Sequence, residues 1–189
     1  MVWKLWAILI IVVFYSIYLG KMVHQRTQGI KTDQMAKGKK DKALIRTEAM
    51  MKTVTYGIVA VQLVSIAFDW SLFPFWLRSS GVLLGAAGTA IFAAAVLTMQ
   101  ESWRAGIPEN EKTRMITGGI YQYSRNPAFL GFYLMYAGIL LLFFNWLLLF
   151  FTILAVYMLH RQILQEEQYL SVVFGDEYLE YKKRVRRYL

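Results

Sequence analysis

The stretch "AFLGFYLMYAGILLLFFNWLLLFFTILAVYMLHRQIL", from Ala128 to Leu164, decides the fold of this chain. Two apolar runs, Ala128 to about Phe144 and about Trp146 to Leu164, are separated only by "FFNW". A helix needs about 20 consecutive apolar residues to cross the hydrocarbon core of a bilayer. The two runs therefore predict two transmembrane helices joined as a tight hairpin. The first run is slightly short, which suits a packed hairpin better than a lone span.

Working outward toward the N-terminus, three more runs of membrane length appear: Val2–Val23, Val54–Phe73 and Ser80–Met99. The first is too long for a signal-peptide core and has no small-residue cleavage site after it, so it is read as an anchored helix. Composition agrees. The 189 residues are 57% hydrophobic and 17% charged, against about 45–50% and about 25% in soluble domains. The expected fold is all-α: one integral membrane domain, residues 1–189, with five transmembrane helices, a C-terminal helical hairpin and an amphipathic cytoplasmic helix.

Basic residues test the count. Nineteen of the 21 Lys and Arg fall in three regions: Lys21–Lys52, the stretch after the third run (Arg104, Lys112, Arg114, Arg125), and Arg161 to the C-terminus. Only Lys4 and Arg78 lie elsewhere. Five crossings put all three regions on one side, and the positive-inside rule makes that side cytoplasmic, with the N-terminus outside and the C-terminus inside. The net charge of +9 then points to anionic lipid headgroups rather than nucleic acid. "KGKKDK" (Lys37–Lys42), within the basic loop 24–52, reads as a solvated loop that can lie on such headgroups.

Some chemistry is excluded. With no cysteine, there is no disulfide framework, thiolate metal site or cysteine nucleophile. His24 and His160 are far apart in sequence, so neither a zinc site nor a Ser-His-Asp triad is expected, and no metal is. Gly81, Gly85 and Gly88 lie near one face of the third helix, a small-residue surface for close helix packing, within the monomer in the first reading and at a dimer seam in the second.

Three segments carry residues that can do chemistry, and the predicted topology gathers them on the cytoplasmic side. "ESWRAGI" (Glu101–Ile107) follows the third run. "GGIYQYSRNPAFLGFY" (Gly118–Tyr133) opens the fourth. Gly118 and Gly119 permit unusual backbone angles and close approach of a ligand. Pro127 suits the first turn of a helix, whose free N–H groups can hold an anion. Arg125 is either a fork of donors for a carboxylate or a snorkelling interfacial arginine.

The third segment runs from Arg161 to Leu189. Glu167 shares a rough helical face with His160, Ile163, Leu170 and Phe174, while Glu166 shares another with Gln162. These carboxylates can bind ribose hydroxyls, pair with Arg125 or Arg104, or simply end a helix at the headgroups. Gly175 reads as a helix stop and Asp176 as the next N-cap. Tyr178, Tyr181, Val185 and Tyr188 form a stripe on a closing helix that either lies on the membrane surface or roofs a pocket.

The last two segments together resemble the isoprenylcysteine carboxyl methyltransferase and phospholipid methyltransferase family. Gly119, Tyr121, Arg125, Pro127 and Gly131 match its first motif. Glu166, Glu167, Leu170, Phe174, Gly175, Tyr178 and Tyr181 match its second. "ESWRAGI" resembles a segment of bacterial members, and the five-span layout suits small prokaryotic ones, hence a bacterial or archaeal inner membrane. The resemblance covers Met99–Leu189 and makes residues 100–189 the cofactor-binding core.

It implies S-adenosylmethionine as methyl donor in a cytoplasmic-facing pocket, and a lipophilic acceptor that enters from the bilayer. Carried over, Gly119, Tyr121, Arg125, Asn126, Pro127 and Gly131 belong to the cofactor site. Glu166 and Glu167 take the ribose or orient Arg125, and Arg104 faces the acceptor. Arg104, Arg125 and Glu167 are the expected catalytic set. Two departures stand out: Asn126 replaces the family's histidine and Phe129 its following tyrosine. Asn126 cannot titrate near neutral pH, which favours an acceptor already ionised, such as an isoprenylcysteine-like carboxylate. The competing readings are an NADPH-dependent reductase of the steroid-reductase kind and a non-catalytic membrane interaction protein.

Overall fold

The structure is a computed structural model describing residues 1–30, 32–35, 42–107 and 114–189. Every long element in it is a helix. Five helices form the body: α1 (Val2–Thr27), α2 (Lys42–Phe68), α3 (Phe75–Met99), α4 (Pro127–Leu142) and α5 (Trp146–Phe174). A short α6 (Asp176–Arg184) follows, and two 3-10 turns, Gln100–Ser102 and Gly119–Gln122, lie between α3 and α4. Four helices, α1, α2, α3 and α5, are long and apolar enough to cross a membrane. The protein is an integral membrane protein. The 16 residues of α4 span about 24 Å at 1.5 Å per residue, short of the roughly 30 Å hydrocarbon core.

The helices run longer than the apolar runs that predict them. α2 begins at Lys42, so the end of the expected basic loop is its first turns, and α5 continues through Glu166 and Glu167 to Phe174. Helix hydrogen bonding needs no apolar side chains, so a span can extend into water as an ordinary helix. The rest of "KGKKDK", Lys37–Asp41, lies outside the described residues.

α4 and α5 are joined by Phe143–Asn145, as the "FFNW" break predicts. Asn145 caps α5 by accepting from Leu148 N–H at 2.9 Å and donates to Ser65 Oγ of α2 at 2.9 Å. Yet the main partner of α4 is α3, and that of α5 is α2. Glycines explain the choice. A Cβ on Gly88 would come within 2.6 Å of Met135 N and 2.7 Å of Gly131 O, and one on Gly81 within 2.7 Å of Gly138 O. Gly81 and Gly88 thus form an internal seam with α4 that only bare backbone fits, while a Cβ on Gly85 would meet the Ile10 side chain of α1 at 3.0 Å. Phe14 of α1 stacks on Phe92 at 4.4 Å and meets Phe132 edge-on at 4.7 Å.

At one end of the bundle, Lys4 reaches the carbonyl of Ala67 and Arg78 pairs with Asp69 at 2.8 Å. At the other end lie both long connections, the 3-10 turns and α6. There Gly175, at φ +54°, closes α5 and turns the chain directly into α6, with Asp176 as its first helical residue rather than its cap.

Candidate active site

Between α1, α2, the 3-10 turns and α6 lies a cavity of about 880 Å³, near the upper end of the range of small-molecule sites. Its wall changes character along the chain. α1 and α2 contribute mostly apolar groups, among them Ile11, Val12, Leu19, Met22 and Val59. The ends of α5 and α6 and the turn before α4 contribute Arg125, Asn126, Gln162, Glu166, Tyr178 and Tyr181.

The roof is α6 and the tail behind it. Tyr178 and Tyr181 are buried and turned into the cavity, so the aromatic stripe packs inward. The Tyr181 hydroxyl donates to the carbonyl of Tyr121 at 2.6 Å, and Tyr188 meets His160 Nδ1 at 2.6 Å. Burial pushes both the Tyr178 and Tyr181 phenols up to about 12. They stay protonated at neutral pH and serve as hydrogen-bonding groups, not bases.

Arg125 fastens this roof. Its Nη1 donates to the carbonyls of Val185 (2.6 Å) and Lys182 (3.1 Å), and its Nη2 to Glu167 Oε1 (2.9 Å). Its own N–H donates to the Arg186 carbonyl at 3.0 Å. Glu167, 4% exposed, also takes Arg187 through Nη2 at 2.8 Å and Nε at 3.1 Å. That pairing holds the Arg187 guanidinium above its ordinary pKa. The Asn126 amide donates to Glu167 Oε1 and to the Arg187 carbonyl, both at 3.3 Å.

The expected site residues thus sort into three groups. Arg104, Tyr121, Arg125, Asn126 and Glu166 line the cavity. Glu167 stands behind it, tying Arg125 to Arg187. Pro127 and Gly131 line it neither: Pro127 is the first residue of α4, and Gly131 belongs to the α3–α4 seam, where a Cβ would meet Gly88 O and Phe92 Cβ at 2.8 Å. Gly119, at φ +58°, approaches Thr98 of α3, so its need for glycine is met within the fold. Arg104 donates to the carbonyls of Glu101 and Trp103. Sequence reasoning set Gln162 on one face with Glu166, where the two hydrogen-bond at 3.0 Å, but passed over Arg187 as a partner in this site. Arg187 is one of a basic cluster, and nothing local separates it from Arg184 or Arg186.

Residues 82–172 match the isoprenylcysteine carboxyl methyltransferase (ICMT) family. Just under half of this chain is similar to the ICMT proteins. It is 31% identical over 115 residues to human protein-S-isoprenylcysteine O-methyltransferase, covering 58% of this chain and 40% of that one. To the Arabidopsis thaliana protein-S-isoprenylcysteine O-methyltransferase B it is 27% identical over 113 residues, covering 58% and 57%. The Schizosaccharomyces pombe protein-S-isoprenylcysteine O-methyltransferase is 35% identical over 77 residues, covering 40% and 33%. The chain therefore matches only about a third to three-fifths of these relatives' lengths. The ICMT match includes Arg104, Arg125 and Glu167 and stops before α6.

A methyl donor of the S-adenosylmethionine type can be tested against the residues present. Among the described residues, four buried polar atoms of cavity-lining residues are left open: the Tyr15 hydroxyl on the apolar wall and, at the polar end, Gln162 Oε1, Arg125 Nε and the Tyr178 hydroxyl, which lies beside Arg125. An unmade buried hydrogen bond costs about 1–3 kcal/mol. Together those at the polar end offer an acceptor, a hydroxyl and a cationic donor beside the Glu166 carboxylate, which itself accepts from Gln162 Nε2 at 3.0 Å. That set suits hydroxyls, an amino group and a carboxylate on one ligand. Among the described residues no group of His, Asp or Glu could hold a metal ion.

Proposed function

We propose that this chain is a membrane methyltransferase that uses S-adenosylmethionine and methylates the carboxylate of a lipophilic acceptor of the isoprenylcysteine type. The observation that carries the reading is the continuity of one cavity. Its polar end lies under α6 and its apolar wall lies between α1 and α2.

S-adenosylmethionine, when bound, supplies an electrophilic methyl group on a sulfonium. The chain's part is positioning and charge. Glu166 puts a negative group on the wall of the donor end. Gln162 and Tyr178 supply the open hydrogen-bonding atoms, and Arg125 offers Nε to a carboxylate. Glu167 acts as a positioning residue through Arg125 and Arg187. The roof keeps water from the donor end, where fixed groups then act more strongly than in water. Asn126 brings no titratable group to the turn. A carboxylate acceptor needs none, because it is already ionised and the rate rests on proximity and orientation.

The proposed orientation puts the roof and both long connections in the cytoplasm, by the excess of basic residues there. α4 then makes a fifth crossing, buried against α3 and shorter than a lipid-facing helix needs to be.

The test is calorimetric titration of the detergent-purified protein with S-adenosylmethionine, S-adenosylhomocysteine and NADPH. Binding of the first two and not the third is expected. Binding of NADPH alone would move the chain to the reductases, and binding of none by a folded protein would make it a non-catalytic relative.

A further inference from the structure

One charged cluster on the cavity wall lies outside the donor end and outside the ICMT match. Lys52 Nζ of α2 pairs with Asp33 Oδ2, in the segment after α1, at 3.0 Å. Both line the cavity, together with Arg104.

The cluster is held by a built scaffold. Asp33 and Ala105 form a parallel bridge, with Gln34 N–H donating to the Ala105 carbonyl at 2.8 Å and Ala105 N–H to the Thr32 carbonyl at 2.9 Å. Asp33 Oδ1 accepts from Met35 N–H at 3.2 Å. Behind the bridge, fully buried Gln25 donates to the carbonyls of Gln100, Glu101 and Trp103 at 3.2–3.3 Å and accepts from the Thr32 hydroxyl at 2.7 Å. Asp33 is therefore fixed beside the Arg104 loop. It draws Lys52 to the cavity wall, where a lysine at this level of a span would otherwise snorkel outward.

Among the described residues four cations line the cavity, and they differ in what they can still do: Arg114 is exposed and stands outside the scaffold that fixes Asp33. The Nη donors of Arg125 are committed to Glu167 and two carbonyls of the roof. Arg104 Nη1 is turned to carbonyls of its own loop. An ammonium carries three donors, and Lys52 makes one hydrogen bond among the described residues. It stands two helical turns above Val59, which belongs to the apolar wall of the same cavity.

We infer that Lys52 reads the charge of the acceptor. Its ammonium holds the carboxylate of a lipophilic acid whose chain runs along the apolar wall, while Asp33 keeps the ammonium in place. This makes Lys52 a specificity-determining residue for acids over neutral lipids, and it rests on the proposed transfer to a carboxylate.

The test is equilibrium binding, in detergent, of N-acetyl-S-farnesylcysteine and of its neutral carboxamide to the wild type, Lys52→Met and Lys52→Arg, with S-adenosylhomocysteine as a second ligand. Wild type should prefer the acid. Lys52→Met should weaken acid binding about tenfold, the scale of one charge-assisted hydrogen bond, leave the carboxamide unchanged, and bind S-adenosylhomocysteine as wild type does. Lys52→Arg should restore the preference. An intact acid preference in Lys52→Met, or no preference in the wild type, overturns the inference while the donor reading stands. Loss of S-adenosylhomocysteine binding in the wild type overturns both.

Discussion

Glu167 balances two guanidiniums with one carboxylate in a nearly closed site. Glu167→Gln keeps the shape and removes the charge. Breaking a buried pair by deleting one partner costs about 3–5 kcal/mol, because the remaining charge is uncompensated. The loss should appear as faster hydrogen exchange in Tyr181–Tyr188 and at least about tenfold weaker S-adenosylhomocysteine binding. Unchanged exchange would show that Glu167 does not hold the roof. Asn126→His in the same assay should keep donor affinity, since an imidazole N–H can replace one of the two amide hydrogen bonds. Collapse of binding would mean that this turn has diverged from the family pattern. The matching residues were legible as types and spacing. Which of two adjacent carboxylates faces the cavity was not, because a 100° step around α5 is assigned inside or outside only by what packs against it. Glu166 faces in and Glu167 backs onto Arg187.

At the scale of elements, the α3–α4 seam depends on bare backbone. Gly138→Ala would put a Cβ within 2.7 Å of the Gly81 carbonyl, where only backbone could give way. Overpacking of this kind costs about 1–3 kcal/mol, and thermal unfolding in detergent should register it. Gly20→Ala, whose added Cβ meets nothing within 4 Å, is the matched control. Equal melting temperatures would sink the seam's role. The glycine stripe was visible in sequence, but its partner was not. Any neighbour with small residues would satisfy it, and α4 answers with Gly131 and Gly138.

Over the whole molecule, the chain's lack of cysteine makes topology directly testable. Ser71→Cys, between α2 and α3, should react with a membrane-impermeant maleimide added outside intact cells. Gln122→Cys, in the turn before α4, should react only after permeabilisation. Labelling of both from outside would overturn the five-crossing topology.

The apolar runs, their breaks at Gly, Pro and Asn, and the distribution of Lys and Arg determined by themselves that this is an all-helical membrane protein with its polar segments gathered at one end. Those are properties of short windows, because bilayer thickness and helix rise act on each segment separately. Only the tertiary structure decided that α4 packs on α3 rather than chiefly on α5, that the tail is tied down by its own carbonyls to Arg125, and that Lys52 and Asp33 share a wall with Arg104. Those contacts join residues far apart in the chain, and they are selected by shape and by the cost of burying unpaired charge, neither of which a local window contains.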